Sequence, residues 1–258
     1  MRIRSIAAAA ILVLAASYGA GQTADELIAK NVAARGGLEK LKAVKTMRLT
    51  GKMKVGDDTM PSLLELKRPS MSRWQFTFDG QTAVQAYDGK AGWMWMPFAG
   101  MTEPQAMSSE ERQEAEQQAD IDGPLVDYKA KGSKIELVGH DAAFRPGDWK
   151  LKVTLKSGEV RYVYLDPKTY LQTTTMMTKK IEGNEVVVIS TIGDYRDVGG
   201  LTLPHSFSAS TKDGGETQSL VFDKIEVNVP IEDERFGKPA TRDKPPTPVG
   251  PPPDPVVG

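Results

Sequence analysis

The chain has 258 residues, with 33 basic against 34 acidic side chains, a net charge of −1 and no cysteine. The charges are interspersed, so there is no basic stripe to hold phosphate backbones and nucleic acid is excluded as a partner class. Without cysteine there is no disulfide staple, no thiol chemistry and no lipid attachment at a processed N-terminal cysteine; stability has to come from an apolar core.

The N-terminus reads as a secretory signal peptide. Arg2 and Arg4 precede an uncharged apolar run, Ile6 to Ala16, and the small residues Ser17, Gly19, Ala20 and Gly21 follow. The run is shorter than the roughly 20 residues a bilayer span needs. Residues 1–21 are therefore expected to be removed on export. The mature chain is expected in the periplasm, without a transmembrane segment. Residues 22–237 have the length of one domain with a sizeable core. Residues 238–258 hold eight of the 17 prolines and are expected to form a disordered tail.

The predicted elements open with a helix. Thr23 and Glu26 form a T-x-x-E capping box, Leu27, Ile28, Asn31 and Ala34 make one stripe, and Gly36-Gly37 ends it before a short helical turn over 38–44. The apolar period then changes from 3.6 to 2. Met47, Leu49, Met53 and Val55 alternate with Arg48, Thr50, Lys52 and Lys54; Trp74, Phe76 and Phe78 alternate with Arg73, Gln75 and Thr77; Leu151, Val153 and Leu155 alternate with lysines and Thr154. Turn signals at short, even intervals, among them Gly56-Asp57, Asp79-Gly80, Ser157-Gly158 and Gly199-Gly200, predict about eleven or twelve strands in hairpin succession, an antiparallel meander. One charged helix interrupts it over Ser108 to Asp120, capped by Ser108 and Glu111 and ended by Gly123-Pro124.

Two thin helices cannot cover the apolar face of so many strands. A second sheet, closure into a barrel, or an apolar cavity under the helices would answer that deficit. The residue types favour a cavity. Among 11 methionines, Met94, Met96, Met101 and Met107 lie close together, and methionine adapts to irregular apolar partners. Trp93-Met94-Trp95-Met96 is apolar on both faces of its strand. The candidate cavity wall is therefore Met47, Leu49, Met53, Leu64, Leu66, Trp74, Phe76, Trp93, Met94, Trp95, Met96 and Phe98, with Met101, Met107 and Leu125 at a lid formed partly by the inserted helix.

Catalytic and metal signatures are missing from the sequence. His140 and His205 have no ligand-type residue at metal-binding spacing, and no nucleophile-elbow, Walker or dinucleotide motif occurs. Asp120 with Asp122, and Glu232-Asp233-Glu234, read as solvated turns. No cofactor and no enzymatic activity are expected.

Five stretches in sequence order then carry a resemblance: residues 24–53 (ADELIAKNVAARGG…), 83–98 (AVQAYDGKAGWMWMPF), 116–139 (EQQADIDGPLVDYKAKG…), 151–171 (LKVTLKSGEVRYVYLDPKTYL) and 193–210 (GDYRDVGGLTLPHSFSAS). The chain resembles a divergent branch of the LolA-like outer-membrane lipoprotein-sorting proteins. The resemblance implies a mainly β fold, a large antiparallel sheet curled into a half-open barrel, covered by the N-terminal and inserted helices. It implies a monomeric periplasmic carrier of lipoprotein or lipid acyl chains, served by a membrane-bound donor or acceptor protein. A lipid-sensing or lipoprotein-sensing regulatory module is the alternative, and an enzyme using the same cavity a third reading. The family's carrier uses an arginine to hold its lid shut; Arg48, Arg73 and Arg161 all fall on strands, so the resemblance assigns that part to no single arginine here.

Export predicts that N-terminal sequencing of the mature protein starts between Ser17 and Gln22. An intact Met1 in the periplasmic or membrane fraction would overturn this.

Overall fold

A computed structural model describes residues 22–239 except 182, 213 and 215–217; the expected signal peptide and nearly all of the expected tail lie outside the described residues. Helix α1 (Ala24–Ala34) begins at the Thr23–Glu26 capping box and helix α2 (Leu38–Ala43) follows Gly37. Thirteen strands succeed them: β1 (Thr46–Val55), β2 (Asp58–Lys67), β3 (Met71–Phe78), β4 (Gln81–Tyr87), β5 (Gly92–Trp95), β6 (Gln105–Ala106), then, after helix α3 (Ser109–Gln118), β7 (Lys134–Asp141), β8 (Arg145–Thr154), β9 (Val160–Leu165), β10 (Gln172–Ile181), β11 (Asn184–Val198), β12 (Leu201–Thr211) and β13 (Gln218–Val227).

All thirteen belong to one sheet of order β6-β5-β4-β3-β2-β1-β13-β12-β11-β10-β9-β8-β7. Every pairing is antiparallel. The sheet is not closed: β6 and β7 are its two edges, and the chain joins them through α3 and residues 119–133. The expected strand count was low because the sequence gives no sign of two features. β6 has only two residues, and the β7–β8 turn over 142–144 lacks glycine. That turn is shaped instead by the Asp141 carboxylate, which accepts the Phe144 N–H at 3.2 Å, and by Phe144 packing edge-on against Tyr164.

The three helices share one face of the sheet. Leu27 and Ile28 of α1 pack on Leu151, Val153, Val163 and Leu165 of β8 and β9. Leu41 of α2 and the adjoining Val44 pack with Met47, Leu201, Leu203 and Phe222. Helix α3 lies on β3–β5, where the Ser72 hydroxyl donates to the Ala115 carbonyl at 3.1 Å. At β1, Gly51 permits a close pass of β13. A Cβ there would sit 2.0 Å from the Val221 carbonyl oxygen, at the register shift that inserts Asp223 opposite Thr50 and Gly51. The shift turns both Phe222 and Ile225, three residues apart, toward the helix-bearing face.

The outer face is not uniformly solvated, as its polar alternation suggested. One row of facing residues runs Glu226, Arg48, Glu65, Arg73, Ala86, Trp93, Ala106 across β13, β1 and β2–β6. The segment after β13 crosses this row as a strap. The Val229 carbonyl accepts from Thr46 (2.6 Å), that of Ile231 from Lys67 (2.5 Å), and that of Phe236 from the Trp93 indole (2.9 Å). Arg235 and Arg48 both bind Glu65, which has 0% exposure. Burial and the nearby Arg235 pull the pKa of Arg73 down to about 10. Glu232-Asp233-Glu234 belongs to this strap, with Asp233 paired to Lys67 at 2.5 Å.

Phe236 is fully buried, so Phe236→Ala is expected to lower unfolding free energy by about 3–5 kcal/mol in urea denaturation. Phe98→Ala, at a position 36% exposed, should lower it by much less. Equal losses would show that the strap contributes no core.

Candidate functional site

The middle of the helix-bearing face is not filled. α1 spends its apolar stripe on β8 and β9, α2 reaches only the β1–β12 end, and α3 buries only Ala115. Among the described residues, the segment that follows α3 lies over the centre of the sheet. The result is a cavity of about 360 Å³. Its floor is Met47 and Leu49 of β1, Leu64 and Leu66 of β2, Leu220, Phe222 and Ile225 of β13, Leu203 and Phe207 of β12, and Ile192 and Tyr195 of β11. Its cover is Gln118, Asp120, Ile121 and Gly123–Leu125, and Asn31 and Arg35 close it from the α1 side.

The cover is held by charge. Asp122 is 2% exposed. Its carboxylate accepts two hydrogen bonds from Arg68 (2.9 and 2.6 Å) and one from Lys42 (2.7 Å). Arg68 is fixed in turn on the Val44 and Leu41 carbonyls (2.6 and 3.1 Å), and Lys42 also pairs with Asp127 (2.5 Å). Lys131 ties Asp120 (2.5 Å) and the Gly123 carbonyl (2.8 Å). The Asp122 carbonyl accepts from Arg35 Nη1 at 2.8 Å. Burial alone would raise the Asp122 pKa, but the hydrogen bonds from Arg68 and Lys42 outweigh it and hold the carboxyl down at about 2. Asp122 is therefore not the solvated turn residue its sequence context suggested: it is buried because three basic side chains converge on it. Burial pushes Arg35 below its ordinary value, and burial pushes Tyr195 up to about 12 while its hydroxyl donates to the Gln172 carbonyl at 2.8 Å.

The structure brings together Met47, Leu49, Leu64, Leu66 and Leu125 at this cavity and places the other expected wall and lid residues elsewhere. Trp74, Met94 and Met107 border a separate space of about 150 Å³ beneath α3. Met53 and Phe76 are core with Met60 and Ala83, and Met96 packs against them. Phe98 leans on Phe76 and Phe78, with ring centroids 5.9 and 5.6 Å apart. Trp93 and Trp95 are a correction. The β4–β5 register pairs them with Ala86 and Val84, which turns them to the outer face. There the Trp95 indole donates to the Met101 carbonyl at 3.1 Å, and Met101 packs beside it, away from any lid. The strand is apolar on both faces because α3 covers one and the strap the other.

Sequence reasoning missed Arg35, Tyr195 and the β12–β13 wall. Arg35 precedes two glycines and reads as an ordinary helix end; the bulge at Asp223 hides the alternation of Phe222 and Ile225. Among the described residues no group of His, Asp or Glu is placed to hold a metal ion. His140 stacks on Trp149 at 4.1 Å, and His205 is buried with Nδ1 3.1 Å from the Leu203 carbonyl oxygen.

No protein-family model and no curated protein matches the sequence. Solved structures match it in shape. A LolA-superfamily protein from Nitrosomonas europaea aligns with a TM-score of 0.55 at 14% identity, covering 84% of this chain and 98% of the other. The fold is a LolA-like curled sheet. A DUF1329 family protein from Desulfovibrio piger gives a TM-score of 0.58 at 12% identity, covering 83% and 97%. A domain from Vibrio parahaemolyticus described as an outer-membrane lipoprotein-sorting protein gives 0.53 at 14%, covering 81% and 97%. At these identities the LolA-like architecture is what the likeness establishes.

The Asp122 carboxyl sits near 2 in the folded chain against an ordinary 3.8. A depressed folded value stabilises above the unfolded pKa and is lost as pH falls through the folded one. Asp122→Asn is therefore expected to be less stable than wild type at neutral pH, with the gap closing between about pH 4 and about 2. Urea denaturation across that range checks it; a gap independent of pH would remove the ionic latch.

Proposed function

We propose that this protein is an exported, periplasmic, non-catalytic carrier that holds an acyl chain in the cavity between β1, β2, β11–β13 and the segment 118–125. The observation that carries the reading is an apolar floor left unfilled beneath a short, electrostatically fastened cover. Burial of an acyl chain contributes about 0.8 kcal/mol per methylene without directional bonds, so shape and length set affinity. The cavity, about 360 Å³, lies near the small end of ligand pockets, which run from about 300 to 1,000 Å³. That size suits one chain better than a bundle of several. The LolA-type fold, shared with a domain described as lipoprotein-sorting, supports transfer of lipid or lipoprotein toward the outer membrane by a monomer that meets a membrane-bound donor or acceptor.

In this reading Arg35 takes the part of the lid-holding arginine. It reaches the cover through the Asp122 carbonyl, whereas neither Arg48, Arg73 nor Arg161 lines the cavity. Loading and release then require the 118–125 segment to lift, which breaks the Asp122 ion pairs.

Protein purified from periplasm without detergent is expected to carry acyl lipid, detected by solvent extraction and mass spectrometry. Leu64→Trp, which fills the cavity, should reduce that lipid about tenfold or more while the thermal midpoint stays within a few degrees. Lipid-free wild type that also fails to bind a fluorescent fatty-acid probe would end the carrier reading. Recovery with a regulator rather than a transporter would favour the sensing alternative.

A further inference from the structure

The cavity is apolar at one end only. Its floor on β1, β2 and β13 is aliphatic and aromatic, but its α1, β10 and β11 side presents Asn31, Arg35, Gln172 and Tyr195. Arg35 is the one cation among the described residues that line it. A guanidinium has five N–H donors. Among the described residues, the Arg35 guanidinium makes a single hydrogen bond, from Nη1 to the Asp122 carbonyl, and no ion pair. The neighbouring carboxylates are committed elsewhere, Asp120 to Lys131 and Asp122 to Arg68 and Lys42. The Asn31 amide is likewise fixed, donating to the Tyr170 carbonyl at 2.8 Å, and the Tyr195 hydroxyl is spent on Gln172. An arginine withdrawn from solvent is ordinarily matched by a carboxylate or a phosphate. Arg35 is half-buried at the cavity wall, and among the described residues no carboxylate is bonded to it.

We propose that Arg35 is the head-group site of this cavity, and that the cavity selects a single-chain amphiphile with a carboxylate head, a long-chain fatty acid. This rests on the acyl-carrier reading and narrows it. Nε and Nη2 form the free edge of the guanidinium and match a carboxylate bidentately, while Nη1 keeps the cover. The chain runs from there across Phe222, Leu49 and Leu64. A charged head therefore sits directly under the cover, and its arrival completes the ion pairing that Arg35 lacks.

The test is displacement of a neutral fluorescent probe, 1-aminoanthracene, from the full mature chain at neutral pH by dodecanoic acid, dodecanol and methyl dodecanoate. Wild type is expected to prefer the acid over both neutral analogues by roughly tenfold or more, the increment of a charge-assisted bidentate pair. In R35Q, which keeps a donor for the Asp122 carbonyl, that ratio should collapse to near one, and R35K should retain part of it. Equal displacement by acid and alcohol in wild type overturns the head-group assignment and leaves the carrier reading standing, and that comparison needs no variant to fold. Failure of the probe and of all three compounds to bind overturns both.

Discussion

β1 pairs with β2 on one side and β13 on the other, so the first strand lies in the middle of the sheet. From that seam one half meanders out to β6 and the other returns from β7. An open sheet of this order forces a single long connection from edge to edge. That connection cannot be a tight turn, and it has to pass over one face. Among the described residues it is the stretch that covers the centre, and it is mostly polar: its apolar contribution is Ala115 and Ala119, then Ile121, Leu125 and Val126. The unfilled volume follows from topology as much as from side-chain choice.

Charge takes over where apolar cover runs out. Asp122 is buried beneath the half-buried Arg68 and Lys42, and Arg68 is anchored on carbonyls at the end of α2. Such an arrangement adds little net stability over a well-packed apolar one, since desolvation offsets much of the attraction. Its different property is discreteness. An aliphatic cover loosens by degrees, whereas a bidentate ion pair is either made or broken. A segment that has to be shut in one state and absent in another is better fastened that way.

The period-2 alternation of β1, β3 and β8, the two capping boxes and the glycine-bearing turns were legible in the sequence because each is a local rule with one solution. Met47 and Leu49 were legible as residues of one face for the same reason, since they alternate with Arg48 and Thr50, whereas on β2 the adjacent Leu63 and Leu64 break the alternation. The tryptophans of β5 were not, because a strand apolar on both sides carries no sign of which side is which. That is decided by partners outside the strand: Phe236, 143 residues on, for Trp93, and Ala115 of α3, beside Met94, for the other face. Asp122 was misread for a similar reason. Nothing within its own segment shows that Arg68 and Lys42 will meet it, and an acidic residue beside a Gly-Pro pair is usually a solvated turn.

The strap that follows β13 has a mechanical consequence. The two half-sheets are hydrogen-bonded to each other along the β1–β13 ladder, whose register the Asp223 bulge shifts beside Gly51. By crossing from β13 to β1, β2 and β5 on the outer face, through Thr46, Lys67, Glu65 and Trp93, the strap rivets the seam to the first half. β13 and β1–β5 therefore move as one plate. Any widening of the interior would then fall to the β7–β12 plate and its α1 backing, the plate to which Arg35 belongs.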